Sequence, residues 1–156
     1  MSHTDIVNIS LDERTIVRRN ADIEHERKVA IFDLLEENHF SLKNGLSAPY
    51  DLLLAVQENR LIIHVRNGSE LPLEDIKLDL RPFRRLVKDY FMVCESYFNA
   101  IKTSSPSQIE AIDMGRRSLH NEGSDLLRDR LARKIEMDDN TARRLFTLVC
   151  VLHIRG

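Results

Sequence analysis

Apolar residues alternate with polar ones in two-residue steps over Ile6–Leu11, where Val7, Ile9 and Leu11 predict a half-buried strand at the edge of a sheet. A polar stretch follows, and the period then lengthens. Ile23, Ala30, Ile31, Leu34 and Leu35 share one helical face, which predicts a helix from Ile23 to Glu37. Asp22 reads as its N-cap, Glu24 and Glu26 suit the positive end of its dipole, and Asn38 reads as a left-handed stop. Two-residue alternation returns in Tyr50–Gln57 and Arg60–Arg66, and the intervening Glu58-Asn59 predicts a tight antiparallel hairpin. Ile76, Leu78 and Leu80 add a third strand to this meander.

From Pro82 onward the pattern is helical. Phe83, Leu86, Val87, Tyr90, Phe91, Cys94, Tyr97, Phe98 and Ile101 form a wide apolar stripe ending near Lys102, as in a central core helix. Ser105-Pro106-Ser107-Gln108 carries a helix start: a serine cap, proline in the first turn, and glutamine placed to close a capping box. Residues 106–136 read as one long helix or as two broken at Gly123. Asp138 and Asp139 open a last helix, from Asn140 to about Ile154.

These elements predict an α+β fold: an antiparallel sheet of about four strands, covered on one face by helices, with an all-helical C-terminal half. The 156 residues read as a single domain, strand-rich with one helix over 1–80 and helical over 81–156. The polar first thirty residues and the lack of a long apolar run predict a cytoplasmic protein without a membrane span. Cys94 and Cys150 sit among apolar residues and read as buried thiols, and no cofactor motif is present.

Charge divides unevenly although the net charge is only −2. Residues 1–80 carry 9 Lys/Arg against 15 Asp/Glu, while residues 81–156 carry 14 against 10. Either the basic half meets an anionic partner, or the two halves attract each other across an internal interface. A pI near 6.3, with acids interleaved among Arg128, Arg130, Arg133 and Lys134, argues against nucleic acid.

Candidate chemistry falls in three places. Arg84 and Arg85, with Lys88 a turn later, stand at a helix start, where exposed amides favour anions and repel cations. An anionic ligand or internal carboxylates would answer that anomaly. Asp113, Arg116, Arg117, His120 and Glu122 fall within about three turns, so His120 is a candidate acid/base, Glu122 or Asp113 its orienting carboxylate, and Arg116 and Arg117 anion binders. Gly115 beside them leaves room for a close approach. A solvated face laced with ion pairs would look the same. Arg143-Arg144 and His153 form the third place and read as structural. His3, His39 and His64 lack neighbours at metal-ligand spacing, so no metal is expected.

The stretches Glu24–Asn38, Pro82–Ile101, Pro106–Ser124 and Thr141–Gly156 resemble a small uncharacterised protein family of alphaproteobacteria. That resemblance implies one bacterial cytoplasmic domain and brings no catalytic residue with it. The leading expectation is a regulatory or interaction protein that binds a protein partner or a small anion through Arg84, Arg85, Lys88, Arg116 and Arg117. The alternative is an enzyme acting on a phosphorylated or otherwise anionic metabolite through His120. The wide apolar arc of the last helix fits either a homodimer contact or a central position.

Overall fold

The computed structural model describes residues 3–12, 21–69 and 71–152, the side chains of 21 and 22 excepted. His153 therefore lies outside the described residues, as does the side chain of Asp22, whose backbone belongs to α1 and does not stand at a cap before Ile23. In chain order the elements are β1 (Ile6–Leu11), α1 (Ala21–Glu36), β2 (Phe40–Leu42), β3 (Tyr50–Gln57), β4 (Arg60–Arg66) and β5 (Pro72–Asp79). A 3-10 turn, Arg81–Phe83, precedes α2 (Arg84–Thr103), α3 (Pro106–Leu131), β6 (Ile135–Met137) and α4 (Asp139–Leu152).

The fold is α+β with a four-stranded sheet in the order β1-β3-β4-β5. Its meander is antiparallel as expected, but β1 runs parallel to β3, so the sheet is mixed rather than wholly antiparallel. The long excursion through α1 and β2 returns the chain to the same end of the sheet, which is what a parallel neighbour requires. A register shift between Ile6 and Asn8 turns Val7 outward, so Ile6, Ile9 and Leu11 are the buried residues of β1. At the β3–β4 turn Glu58 and Asn59 both adopt positive φ (50° and 64°), the type I′ geometry that matches strand twist.

One sheet face presents Ile9, Leu11, Leu52, Leu54, Val56, Leu61, Ile63, Val65, Ile76 and Leu78 to a core shared with the helices. The opposite face carries Ser10, Gln57, Arg60, His64 and Lys77, with His64 Nδ1 2.8 Å from Asp75 on the neighbouring strand.

The C-terminal half is helical apart from β6, which pairs with β2 as a second, two-stranded antiparallel sheet. Gly123 does not break α3, which runs unbroken to Leu131. Its missing Cβ leaves the space that the Phe146 ring of α4 occupies. The Ser105 capping box forms as predicted. Helix α4 packs against both α1 and α3, and its run from Leu145 to Leu152 is wholly buried, so its wide apolar arc reflects a central position.

Asn38 is not a left-handed stop. It is buried, accepts from the Asp5 and Ile6 N–H groups, and donates to the Ile6 and Leu34 carbonyls, locking β1 to the end of α1.

Candidate functional site

Where α1, α2 and α3 converge on α4, a set of polar side chains interrupts the apolar core. Helices α1 and α3 each pack on α4 rather than along each other, and Arg116 of α3 spans the gap to Glu26 of α1. Arg116 Nη1 lies 3.4 Å from Glu26 Oε1, and its guanidinium stands 5.1 Å over the Tyr97 ring, a cation–π arrangement. Glu26 is only 7% exposed, so its role is not merely to answer the helix dipole: a charge at that depth needs the Arg116 partner. The Cys94 thiol, 3.5 Å away, donates to the same carboxylate oxygen. Burial and the Glu26 charge push that thiol up to about 12, and burial also raises Cys150, so both stay protonated and unreactive.

His120 lies one turn beyond Arg116 on the same face of α3. Its ring meets Tyr90 (centroids 5.3 Å apart) and Phe146 (6.3 Å) edge-on, while Nε2 is 3.1 Å from Thr147 Oγ1. Thr147 in turn donates to the Arg143 carbonyl. Burial, followed by the charges of Arg116, Arg143 and Arg144, holds the imidazole down at about 4, so it is neutral near pH 7. Tyr90 is fully buried beside it. Among the described residues its hydroxyl has no partner in hydrogen-bonding geometry, and burial raises it well above the usual phenol range.

The sequence candidates thus separate into an interior and an exposed group. Arg116 and His120 come together inside. Asp113 and Arg117 pair with each other one turn apart on the exposed side of α3, with Oδ2 2.6 Å from Nη2. Glu122 points to Arg85 of α2, 2.9 Å away, rather than to His120. Arg84 and Lys88 are exposed and have no carboxylate partner among the described residues, while the neighbouring Arg81 is clasped by Asp79. The first turn of α2 accordingly holds no acid and no side-chain cap. Gly115 faces open space: a Cβ there would meet nothing within 4 Å.

Glu26, Tyr90, Cys94, Arg143 and Thr147 were not singled out as partners of this site. They lie on three other helices, up to about 120 residues apart in the chain, and each suits its own helix without any site. The one local signal is Glu26, a carboxylate that falls between Ile23 and Ala30 on the apolar face of its helix. Arg143 differs from its neighbour Arg144. The latter approaches Asp33 of α1 at 3.9 Å, whereas Arg143 has no carboxylate partner among the described residues.

The arrangement is a neutral imidazole, a hydroxyl and three guanidiniums, of which the carboxylates Glu26 and Asp33 compensate two. It is chemically suited to holding negative charge. It has no nucleophile of lowered pKa, because burial holds both thiols protonated.

Known proteins bear on this geometry through sequence. A UPF0262 protein of Rhodospirillum rubrum is 60% identical over 151 residues, covering 97% of this chain and 93% of its own. One of Paramagnetospirillum magneticum is also 60% identical, covering 97% and 96%. A UPF0262 protein of Mesorhizobium japonicum is 57% identical over 152 residues, covering 97% and 94%. No solved structure matches the chain. The model of the uncharacterised protein family UPF0262 matches residues 3–155, and the chain belongs to that family.

Proposed function

We propose that this chain is a cytoplasmic regulatory or interaction protein that holds a small anionic ligand, or an anionic group of a protein partner, in the basic enclave around His120. Arg116 and Arg143 are its principal anion-binding groups, with Thr147 and neutral His120 as hydrogen-bonding neighbours. Arg84, Arg85, Lys88 and Arg117 supply exposed positive charge on α2 and α3 that draws such a ligand in. One observation carries this reading: three guanidiniums act on a single imidazole, and one of them, Arg143, has no carboxylate partner among the described residues.

The test is thermal unfolding in phosphate, pyrophosphate or ATP against chloride at matched ionic strength. The wild type should melt several degrees higher in at least one of the three, and Arg143→Glu should show no such gain. Equal melting temperatures of the wild type in all four salts would remove the reading.

A second reading, an enzyme acting on an anionic metabolite with His120 as acid/base, draws on the neutral state of that imidazole, which is the base form. Asp113 or Glu122 would orient it after release from Arg117 or Arg85. Depletion of a metabolite from a cell extract by the wild type, lost in His120→Gln, would favour the enzyme.

A further inference from the structure

Past the C-terminal end of α1, away from Glu26, the fold assembles a group that chain spacing could not reveal. His3, Asp5 and His39 converge so that one ring nitrogen of each histidine and a carboxylate oxygen of Asp5 all lie within 4.8 Å of one another. The imidazoles are stacked, centroids 4.3 Å apart and planes 7° from parallel. His3 Nε2 is 3.0 Å from Asp5 Oδ1, and a fourth donor outside that set, the second oxygen, Asp138 Oδ2, stands 3.9 Å from His39 Nε2.

We propose that His3, Asp5 and His39, with Asp138 as a fourth donor, form a binding site for a divalent transition-metal ion of the zinc class. The donor set selects that class: imidazole nitrogen suits zinc, cobalt and nickel, whereas magnesium and calcium prefer all-oxygen shells. Ligand atoms around a tetrahedral zinc, at about 2.0–2.2 Å from the ion, stand roughly 3.3 Å apart. Closing from 4.8 Å to that spacing requires the two stacked rings to splay, so that one nitrogen of each turns its in-plane lone pair toward the ion.

The backbone beneath the donors is already fixed, as a preorganised site requires. Buried Asn38, which precedes His39 in the chain, accepts from the Asp5 N–H, and its own N–H donates to the His3 carbonyl at 2.8 Å. The His39 N–H donates to Thr141 Oγ1 at 2.9 Å. Asp5 Oδ2 accepts from the Phe40 N–H, which orients the carboxylate and leaves Oδ1 toward His3. Asp138 is anchored the same way, one oxygen capping the Thr141 N–H and the other facing His39. A bound ion would tie three chain segments together: the residues before β1, the junction of α1 with β2, and the start of α4.

The experiment is a calorimetric titration of Zn²⁺ into the full chain, paired with thermal melts. The expected result is one saturable equivalent with a raised melting temperature, and at least tenfold weaker binding in His3→Ala and in His39→Ala. Both histidines are exposed, so these variants should remain folded without metal, as their metal-free melting curves will report. His64→Ala, which removes a histidine paired with Asp75 on the sheet, should bind like the wild type. No saturable Zn²⁺ binding, or binding that survives loss of both His3 and His39, overturns the proposal. So does a His64→Ala loss equal to theirs.

Discussion

A half-buried imidazole surrounded by guanidiniums makes folding sensitive to acid, and His120 is such a group. In the unfolded chain it takes up a proton at the ordinary histidine value near 6.5, but in the folded protein only at about 4. As pH falls from about 6.5 to 4 the unfolded state binds a proton that the folded state refuses, and stability declines; below about 4 both states are protonated and this contribution is constant. The stability involved is up to about 3 kcal/mol, since each tenfold loss of proton affinity on folding is worth about 1.4 kcal/mol and part of the field is screened. Urea unfolding at pH 7 and pH 4.5 should show the loss. His120→Gln, which retains a polar group toward Thr147, should flatten that part of the pH profile. An unchanged slope in the variant would mean that other groups carry the acid sensitivity.

Two glycines of α3 separate local propensity from packing. In a helix interior, alanine is better than glycine by about 1 kcal/mol, so propensity alone predicts a gain at both Gly115 and Gly123. At Gly115 nothing opposes it, and Gly115→Ala should stabilise by about 0.5–1 kcal/mol. At Gly123 the new methyl group would overlap the Phe146 ring, itself wedged against Tyr90 and His120, so Gly123→Ala should destabilise by about 1–3 kcal/mol instead. Denaturant midpoints of the two variants, shifted in opposite directions, check the argument. The contrast also explains what was legible. Alternation, caps and helical stripes are local, and they placed the meander, the capping box and the helices closely, but the central helix is α4 and not the Pro82–Lys102 helix, whose Phe91, Tyr97 and Phe98 are half-buried and whose Ile101 is exposed. The fate of Gly123 depends on a residue of α4. The β2–β6 pair escaped notice because each strand has only three residues, and the parallel pairing of β1 is a property of topology rather than pattern.

At the scale of the whole molecule, the acidic first half and basic second half are stitched together by ion pairs that cross between them: Glu26–Arg116, Asp33–Arg144 and Glu74–Lys134. The charge imbalance read from the sequence therefore has an internal use, and the enclave around His120 is what remains after these pairs are drawn. Arg116 and His120 were visible as candidates because they share one helix; Glu26, Tyr90 and Arg143 join them only through packing of four helices. The three pairs differ in depth, and depth decides their worth. Lys134 itself and Asp33, the partner of Arg144, stand toward solvent, where water and salt weaken an ion pair to at most about 1 kcal/mol, so Lys134→Ala and Arg144→Ala should cost no more than that. Glu26 is nearly sealed, and removing it strands a partly buried guanidinium and a thiol that donated to it. Glu26→Ala should therefore cost about 3 kcal/mol. Replacing Arg116 by Met in the same chain should recover part of that loss, because no buried charge is then left unpaired. Urea unfolding of the two single variants and the double variant, at low salt and in about 1 M NaCl, measures the coupling. A Glu26–Arg116 coupling below about 0.5 kcal/mol would mean that the helices are held at this point by their apolar contacts alone.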